Sequence, residues 1–435
     1  MSHRKNTNYE RSNVVRICLT GGPCAGKTTA IASIKQDLAQ LGINVLVVPE
    51  AASMLMNGGA MIVSSNFNQS QGLMFQKCLM KLQVALEDAF IEIAKLSDPT
   101  TDVVVLMDRG LMDGSAYVSH GQWQALMDDL GVTTLHLRDN RYDAVIHMVT
   151  AADGAEDFYT QQNNEARYES TEMARELDKK LINAWVGHPH FSIIDNKQAG
   201  FQKKIDKCVE TVCRYIGLPT PTSFYKKFLL KMHDEFQIQI PKNVKLEIFQ
   251  IEEVFLTNQG DMVENFVRKT GKNDSFTYNH EMRSYQQNQR IERKRQISAR
   301  EYIELQENQR IPTKKVLKKM RQCFIFDQQY FMVETFLNID GKPNFLRIES
   351  SKEQKELKIP EFLHLIREVT HDEHYVSSKM AEVNYKMPQS DKKSIKEGLG
   401  DPSILTSHKA KSGERVENGA SKSAKAPEKE KPKLE

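Results

Sequence analysis

The amino-acid sequence predicts an α/β domain with a doubly wound parallel sheet, then a mainly antiparallel α+β domain, and a disordered tail. Up to about residue 217, short β-branched runs alternate with longer segments whose apolar residues follow helical spacing. Beyond a Pro-containing break, extended alternating segments dominate. The length of 435 residues also exceeds what a single hydrophobic core usually fills. We therefore divide the chain into a disordered N terminus, two domains and a disordered tail, at residues 1–13, 14–217, 218–387 and 388–435.

The strands of the first domain are expected in nearly continuous apolar runs, which are typical of parallel strands buried on both faces. These runs are residues 14–20, 43–48, 103–107, 144–149 and 191–194. The second domain has extended segments at residues 244–256, 265–270, 289–297, 322–327, 330–339 and 345–349. The pattern then predicts a helix over residues 359–369, and the Lys-, Glu- and Ser-rich composition from about residue 388 predicts disorder.

The overall composition indicates a globular protein without a marked charge. Hydrophobic residues make up 40% and charged residues 27% of the chain, and the net charge is +3. Residues 389–435 contain eleven Lys or Arg against eight Asp or Glu, which accounts for that net charge. Residues 1–13 lack the apolar core of a signal peptide, and no apolar run approaches the roughly 18 residues that span a bilayer. These features predict a cytoplasmic protein without a transmembrane segment.

A phosphate-binding loop follows the first predicted strand and opens the first predicted helix, which is the context that G-x-x-x-x-G-K-[ST] requires. Its backbone N–H groups would surround phosphates, Lys27 would reach the β and γ oxygens, and the Thr28 hydroxyl would bind Mg²⁺. The expected ligands are therefore Mg²⁺ and GTP or ATP. The predicted nucleotide-binding residues in this loop are Gly21, Gly22, Pro23, Cys24, Ala25, Gly26, Lys27, Thr28 and Thr29.

Acidic residues follow two neighbouring strands. Asp108 ends the run 103–107 and is the predicted catalytic acid and second magnesium ligand, with a turn-capping carboxylate as the alternative. Arg109 follows it directly, and this Asp-Arg pair resembles that of nucleoside and nucleotide kinases. Glu50 ends the second strand, at the edge where open α/β sheets bind ligands, although a solvated strand-end Glu fits equally well. Asp113 is similarly ambiguous.

Further nucleotide contacts are expected between the fourth and fifth strands. Arg167 and Arg175 share one face of a predicted helix, where a kinase lid would carry phosphate-binding arginines, and an ordinary charged helix face is the alternative. A guanine-specific Asn-Lys-x-Asp motif is incomplete at Asn196, because Ala199 stands where its Asp would be. The choice between GTP and ATP therefore stays open.

Four segments together resemble a known family: the phosphate-binding loop through Thr29, Pro49-Glu50-Ala-Ala, the run 108–117 and the run 188–196. They look like the NadR-like ATPase domain. With the following β domain, which is similar to the CYTH or triphosphate tunnel group, residues 14–370 resemble the TRPL translocation defect protein family. The resemblance implies a CYTH-like β-barrel, GTP binding, binding of phosphoinositide and phosphatidic acid, peripheral membrane contact, and a role in membrane protein trafficking.

The β domain departs from the tunnel enzymes in its first strand. Those enzymes carry Glu-x-Glu-x-Lys, whereas residues 250–254 keep only one matching acid, Glu252. We therefore expect this domain to bind anionic lipid head groups or polyphosphate without hydrolysing triphosphate. Residues 290–321 contain eleven Lys or Arg against four Asp or Glu, which suits phosphate groups. Candidate ligand-binding residues are Arg268, Lys269, Arg293, Lys294, Arg295 and Arg321.

Several functions are compatible with these patterns. Nucleic acid ranks below anionic lipid as a partner because Tyr302 is the one aromatic residue in the basic segment, and a solvated basic face is a further alternative. We favour a nucleotide-dependent trafficking module with slow NTPase activity. A small-molecule kinase acting on nucleosides or ribosylnicotinamide, and a triphosphatase in the β domain, remain the alternatives.

Overall fold

The computed structural model describes two sheets with their helices. The described residues are 14–60, 67–98, 101–159, 170–197, 200–218, 224–231, 238, 240–258, 264–286, 289–350 and 357–397. Within them, no helix is both long and apolar enough to cross a bilayer. The predicted disorder at residues 1–13 and Arg167 lie outside the described part of the chain.

The N-terminal sheet has five parallel strands in the order β2-β3-β1-β4-β5. The strands are β1 Val14–Gly21, β2 Asn44–Val48, β3 Val103–Asp108, β4 Ala144–Met148 and β5 Phe191–Ile194. This sheet confirms the predicted parallel α/β arrangement. Because all five strands point the same way, the residues that follow them collect at one edge of the sheet.

Helices cover both faces of this sheet. The helices are α1 Lys27–Gln40, α2 Ala51–Leu55, α3 Gln69–Lys95, α4 His120–Leu130, α5 Thr134–Arg138, α6 Thr171–Ala184 and α7 Phe201–Tyr215. Side chains alternate along β1, so Ile17 packs in one core with α1 and α7, whereas Cys18 packs in the opposite core with Trp123 and Trp185. The phosphate-binding loop therefore connects a strand that is buried on both faces to a packed helix.

The C-terminal sheet has nine strands in the order β10-β9-β8-β7-β11-β12-β13-β6-β14. Its pairings are antiparallel. Among the described residues, β10 and β14 form the two edges and do not pair, so the expected closed barrel is not confirmed. The strands are β6 Phe224–Lys231, β7 Leu246–Phe255, β8 Glu264–Lys272, β9 Ser275–Gln286, β10 Gln289–Gln296, β11 Leu317–Phe326, β12 Gln329–Phe336, β13 Asn344–Ser350 and β14 His364–Glu368, with helices α8 Ala299–Gln309, α9 Ser377–Met380 and α10 Gln389–Glu397.

Two predictions near the C terminus are wrong. The helix expected over 359–369 is instead β14, which pairs with β6 across an irregularity between Leu365 and Arg367. The predicted tail begins too early, because α10 is folded. Its Asp391 is buried and accepts hydrogen bonds from Arg367 Nε at 3.0 Å and from Tyr375 Oη at 2.5 Å. Composition could not reveal this anchor, since it depends on one carboxylate and two distant partners. Residues 398–435 lie outside the described chain.

The two sheets share a hydrophobic core. Phe249 on β7 and Tyr330 on β12 belong to the same buried cluster as Trp185 and Phe191 of the N-terminal domain. Tyr330 also donates a hydrogen bond to the His188 carbonyl at 3.0 Å, and its hydroxyl accepts one from the backbone N–H of Gly187 at 3.2 Å. Around Tyr330 the domain interface is thus a packed interior in which the polar groups are hydrogen-bonded.

Candidate nucleotide site

The phosphate-binding loop needs glycine at specific points. Gly26 precedes α1 with φ +91°, and a Cβ there would lie 2.6 Å from the ring of Phe201. A Cβ on Gly22 would lie 2.4 Å from Oδ1 of Asp178. Only glycine fits both places, which keeps the loop close to its neighbours at the N terminus of α1, where backbone N–H groups favour an anion.

A carboxylate from α6 holds this loop from the opposite side. Asp178 Oδ1 accepts hydrogen bonds from the backbone N–H groups of Gly22 at 2.8 Å and Thr150 at 3.2 Å. Nε2 of His147 lies 3.1 Å from the same oxygen. Asp178 was not among the residues predicted from the sequence. The available signal was an acid on the buried face of an amphipathic helix, between Ala174 and Leu181.

Lys27 begins α1 and faces the cavity above the loop. Burial, followed by the nearby charge of Arg109, lowers the pKa of Lys27 to about 8. Both effects disfavour its charged form and outweigh the nearby carboxylates of Asp108, Glu50 and Asp113, which act in the opposite direction. A bound phosphate would reverse that balance, so this lysine has the electrostatics of a residue that requires an anionic ligand.

The acidic residues predicted from strand ends lie together. Arg109 has φ +74° and donates a hydrogen bond to Glu50, which also accepts one from Ser53 Oγ at 2.6 Å. Burial raises the pKa of Glu50, but Arg109, the hydrogen bond from Ser53 and the charge of Lys27 together outweigh burial, so the net pKa lies below its usual value. Glu50 is therefore an oriented, ionised carboxylate at the carboxyl edge of the sheet.

Asp108 has the opposite environment. Burial raises the pKa of its carboxyl group, and within the described residues its buried Oδ1 has no hydrogen-bond partner. An unpartnered buried carboxylate oxygen beside a phosphate-binding loop suits a cation, and oxygen ligands are those that Mg²⁺ prefers. Asp108 and the Thr28 hydroxyl thus fit the predicted magnesium site.

Asp113 is not an open carboxylate. Its oxygens accept hydrogen bonds from Thr20 Oγ1 at 2.8 Å and from Trp185 Nε1 at 2.7 Å, and its side chain is buried. Arg109 Nη1 lies 3.8 Å away. Asp113 therefore anchors the segment after β3, at the wall of the second cavity described below.

Two cavities meet at these acids. The larger, about 1280 Å³, lies over the phosphate-binding loop and extends to Asn196 and Phe201. The second, about 590 Å³, lies between α2, α3 and the segment after β3. The side-chain amides of Gln76 and Gln83 line this second cavity together with apolar side chains. The apolar side chains include those of Phe67, Leu73, Phe75 and Leu79. Glu50, Asp108 and Arg109 line both cavities.

The basic residues predicted to bind lipid or polyphosphate do not form one surface. Arg268 is buried and hydrogen-bonds to Glu253 at 2.8 Å, and Arg321 is buried and hydrogen-bonds to Glu334 at 2.6 Å. Successive residues of β10 point to opposite sides, so Arg293 is exposed whereas Lys294 lines a small cavity at the domain interface. The remaining two contact partners within the chain, Lys269 with Phe276 and Arg295 with Glu301.

Comparison with known proteins identifies the N-terminal region. Residues 16–203 match the family model described as an AAA domain. This part of the chain is a P-loop NTPase-like domain, and the match, together with the loop, indicates nucleotide binding. No curated protein sequence matches the chain.

Two solved structures are similar to part of the chain. They are "the hypothetical protein NE1496" and "the inorganic triphosphatase NE1496", each 19% identical over 38% of this chain, with a TM-score of 0.27. The match covers 100% of the first and 97% of the second. The comparisons do not confirm the resemblance to the TRPL translocation defect protein family.

Proposed function

We propose that the N-terminal domain is a magnesium-dependent phosphotransferase, which transfers the terminal phosphoryl group of a nucleoside triphosphate to a small acceptor. The observation that carries this proposal is the second cavity, which adjoins the nucleotide cavity at Glu50, Asp108 and Arg109. A nucleotide switch or a simple NTPase needs no second cavity for an organic ligand at its acids. A kinase needs one there, because acceptor and terminal phosphate must meet in line.

The proposed reaction gives each of these side chains a role. The acceptor hydroxyl oxygen bonds to the γ-phosphorus while the bond from that phosphorus to the β–γ bridging oxygen breaks, and the nucleoside diphosphate leaves with the electron pair. Glu50, held by Arg109, receives the hydroxyl proton. Lys27 and Arg109 stabilise the charge on the phosphate oxygens. Magnesium held by Thr28 and Asp108 would neutralise further phosphate charge.

A substitution inside the second cavity tests the proposal without touching the nucleotide cavity. A Cβ added at Gly72 on α3 meets no described atom within 4 Å, so Gly72→Phe should fill the acceptor cavity and leave nucleotide affinity unchanged. Labelled GTP or ATP is the phosphoryl donor, and nucleosides, ribosylnicotinamide and other small alcohols are offered as acceptors. Mass spectrometry measures the phosphorylated product. We expect transfer to fall at least about tenfold, because an occupied cavity excludes the acceptor.

Gly121→Phe is the matched control. Gly121 lies near the start of α4, also has open space around it, and lines neither cavity. Transfer by that variant should equal transfer by the unmodified chain. The kinase proposal would be refuted if no acceptor were phosphorylated and Gly72→Phe left acceptor-independent hydrolysis intact. That result would favour an NTPase or a nucleotide switch. GTP preference, lipid binding and a role in protein trafficking stay predictions from the resemblance.

A further inference from the structure

The orientation of the nucleotide follows from the proposed function, on which this inference rests. The acids and the acceptor cavity lie beyond the ends of β2 and β3, so the terminal phosphate points to that side of the phosphate-binding loop. The nucleoside must then extend to the opposite side, beyond the ends of β4 and β5. There the cavity is lined by Gly154, Asn196 and Phe201, among others.

Asn196 connects the segments that follow β4 and β5. These two segments line the part of the cavity where the nucleoside is expected, which we call the nucleoside wall. Its Nδ2 donates to the carbonyl oxygens of Thr150 and Asp153, each at 2.7 Å. Lys204 on α7 is 4% exposed and donates to Asn196 Oδ1 at 2.7 Å and to the Val149 carbonyl at 2.6 Å. The segment after β4 thus takes its shape from these side-chain hydrogen bonds together with backbone turn bonds, such as that from the Asp153 N–H to the Thr150 carbonyl at 3.2 Å.

The C-terminal domain contacts this same wall. The turn between β11 and β12 consists of Asp327 and Gln328, with φ +45° and +58°, as a two-residue hairpin of type I′ requires. Gln328 Nε2 donates to Asp153 Oδ2 at 2.6 Å. On the other side of the turn, Lys197 Nζ lies 3.8 Å from Asp327 Oδ2.

We propose that Gln328 is a positioning residue for the nucleoside, which acts through Asp153 although it belongs to the other domain. The hydrogen bond fixes the residue that precedes Gly154, and Gly154 lines the cavity. The shape of the nucleoside half then depends on docking of the β11–β12 turn. By thermodynamic linkage, a nucleoside triphosphate stabilises the contact between the turn and Asp153 by the same factor by which that contact strengthens nucleotide binding.

The test measures nucleotide binding by the full chain carrying Gln328→Ala. We expect the dissociation constant of GTP, ATP or both to rise about three- to tenfold, the effect of losing one hydrogen bond of ordinary net strength. Inorganic triphosphate has no nucleoside, so its inhibition constant against a bound fluorescent nucleotide should not change. A merely structural loss would weaken both ligands equally.

Two further variants make the result decisive. Ser275→Ala removes another hydrogen bond between the domains, the one that joins the hydroxyl groups of Thr133 and Ser275 at 3.0 Å. Neither residue lines the nucleotide cavity, so this variant should leave nucleotide affinity unchanged. Asp153→Ala should match Gln328→Ala, and the double variant should show no additional loss. Unchanged nucleotide affinity in Gln328→Ala, or equal loss of nucleotide and triphosphate, would overturn the inference. Absence of phosphoryl transfer would refute the proposed function alone, because this experiment measures only binding.

Discussion

Both domains bury many charged side chains, but they use them differently. In the C-terminal sheet, Arg268 and Arg321 contact buried glutamates, and Lys319 lies 2.6 Å from Glu253. In the N-terminal site, Lys27 has a lowered pKa and Asp108 Oδ1 has no described hydrogen-bond partner. The charges named in the first region are paired within the sheet, whereas Lys27 and Asp108 line the large cavity over the phosphate-binding loop. A count of basic residues does not distinguish these two situations.

The largest expected effect comes from breaking an ion pair in the C-terminal sheet. Burial raises the pKa of Glu334, but Lys319 and Arg321 outweigh it and hold that pKa well below its usual range. Glu334→Gln leaves these cations without their carboxylate and should lower the free energy of unfolding by about 3 to 5 kcal/mol. Equilibrium urea unfolding measures the change. Glu361→Gln, at an exposed residue, is the control, and equal stability of the two variants would contradict the comparison.

Next in size is the loss of Lys27. Lys27→Ala removes the charge expected to contact the β and γ phosphates, so affinity for GTP and ATP should fall roughly 100-fold, as for a strong charge-assisted contact. Calorimetry with each nucleotide gives the affinity, and a thermal melt should show an unchanged fold. Lys35→Ala serves as the matched control, because Lys35 is exposed on the same helix. Full affinity after loss of Lys27 would exclude the phosphate-binding loop as the nucleotide site.

The smallest expected effect has the opposite sign. Asp108→Asn removes the charge of a half-buried carboxylate whose Oδ1 has no hydrogen-bond partner among the described residues. The variant should therefore gain about 1 kcal/mol of stability at neutral pH, while magnesium-dependent transfer is lost. Burial raises the folded-state pKa of Asp108 above its usual 3.8. The unmodified chain therefore loses stability as pH rises through that raised value, and the advantage of the variant should appear over the same interval. Equilibrium unfolding of both proteins is measured from pH 3 to 7. If Asp108→Asn were less stable than the unmodified chain, Asp108 would have to be structurally paired.

The N-terminal fold was predictable because its signals are local. Each strand is a continuous apolar run, and the phosphate-binding loop is a contiguous motif between one strand and one helix. The second cavity was not predictable, because it forms only when α3 packs beside the segment after β3. Asp178 and Gln328 were missed for the same reason, since their partners lie 156 and 175 residues away.

The β domain was harder to predict because charge pairing depends on register. Arg268 and Glu253 lie opposite each other on β8 and β7, and Arg321 faces Glu334 across β11 and β12. A shift of one residue in either pairing would turn these side chains to opposite faces. Residue types and spacing within one segment do not contain that information, so the sequence predicted ligand contacts at Arg268 and Arg321, where the chain supplies its own counter-ions.

The shared core at the domain interface also limits how this chain can vary. Tyr330 meets backbone atoms of Gly187 and His188, and its ring stacks edge-on against Phe191 at 5.5 Å between centroids. A replacement on either side must preserve the volume and polarity of the other. Neither domain is therefore interchangeable on its own. Fused alone to another protein, each domain would expose an apolar surface, and its new neighbour would need a complementary surface to cover it.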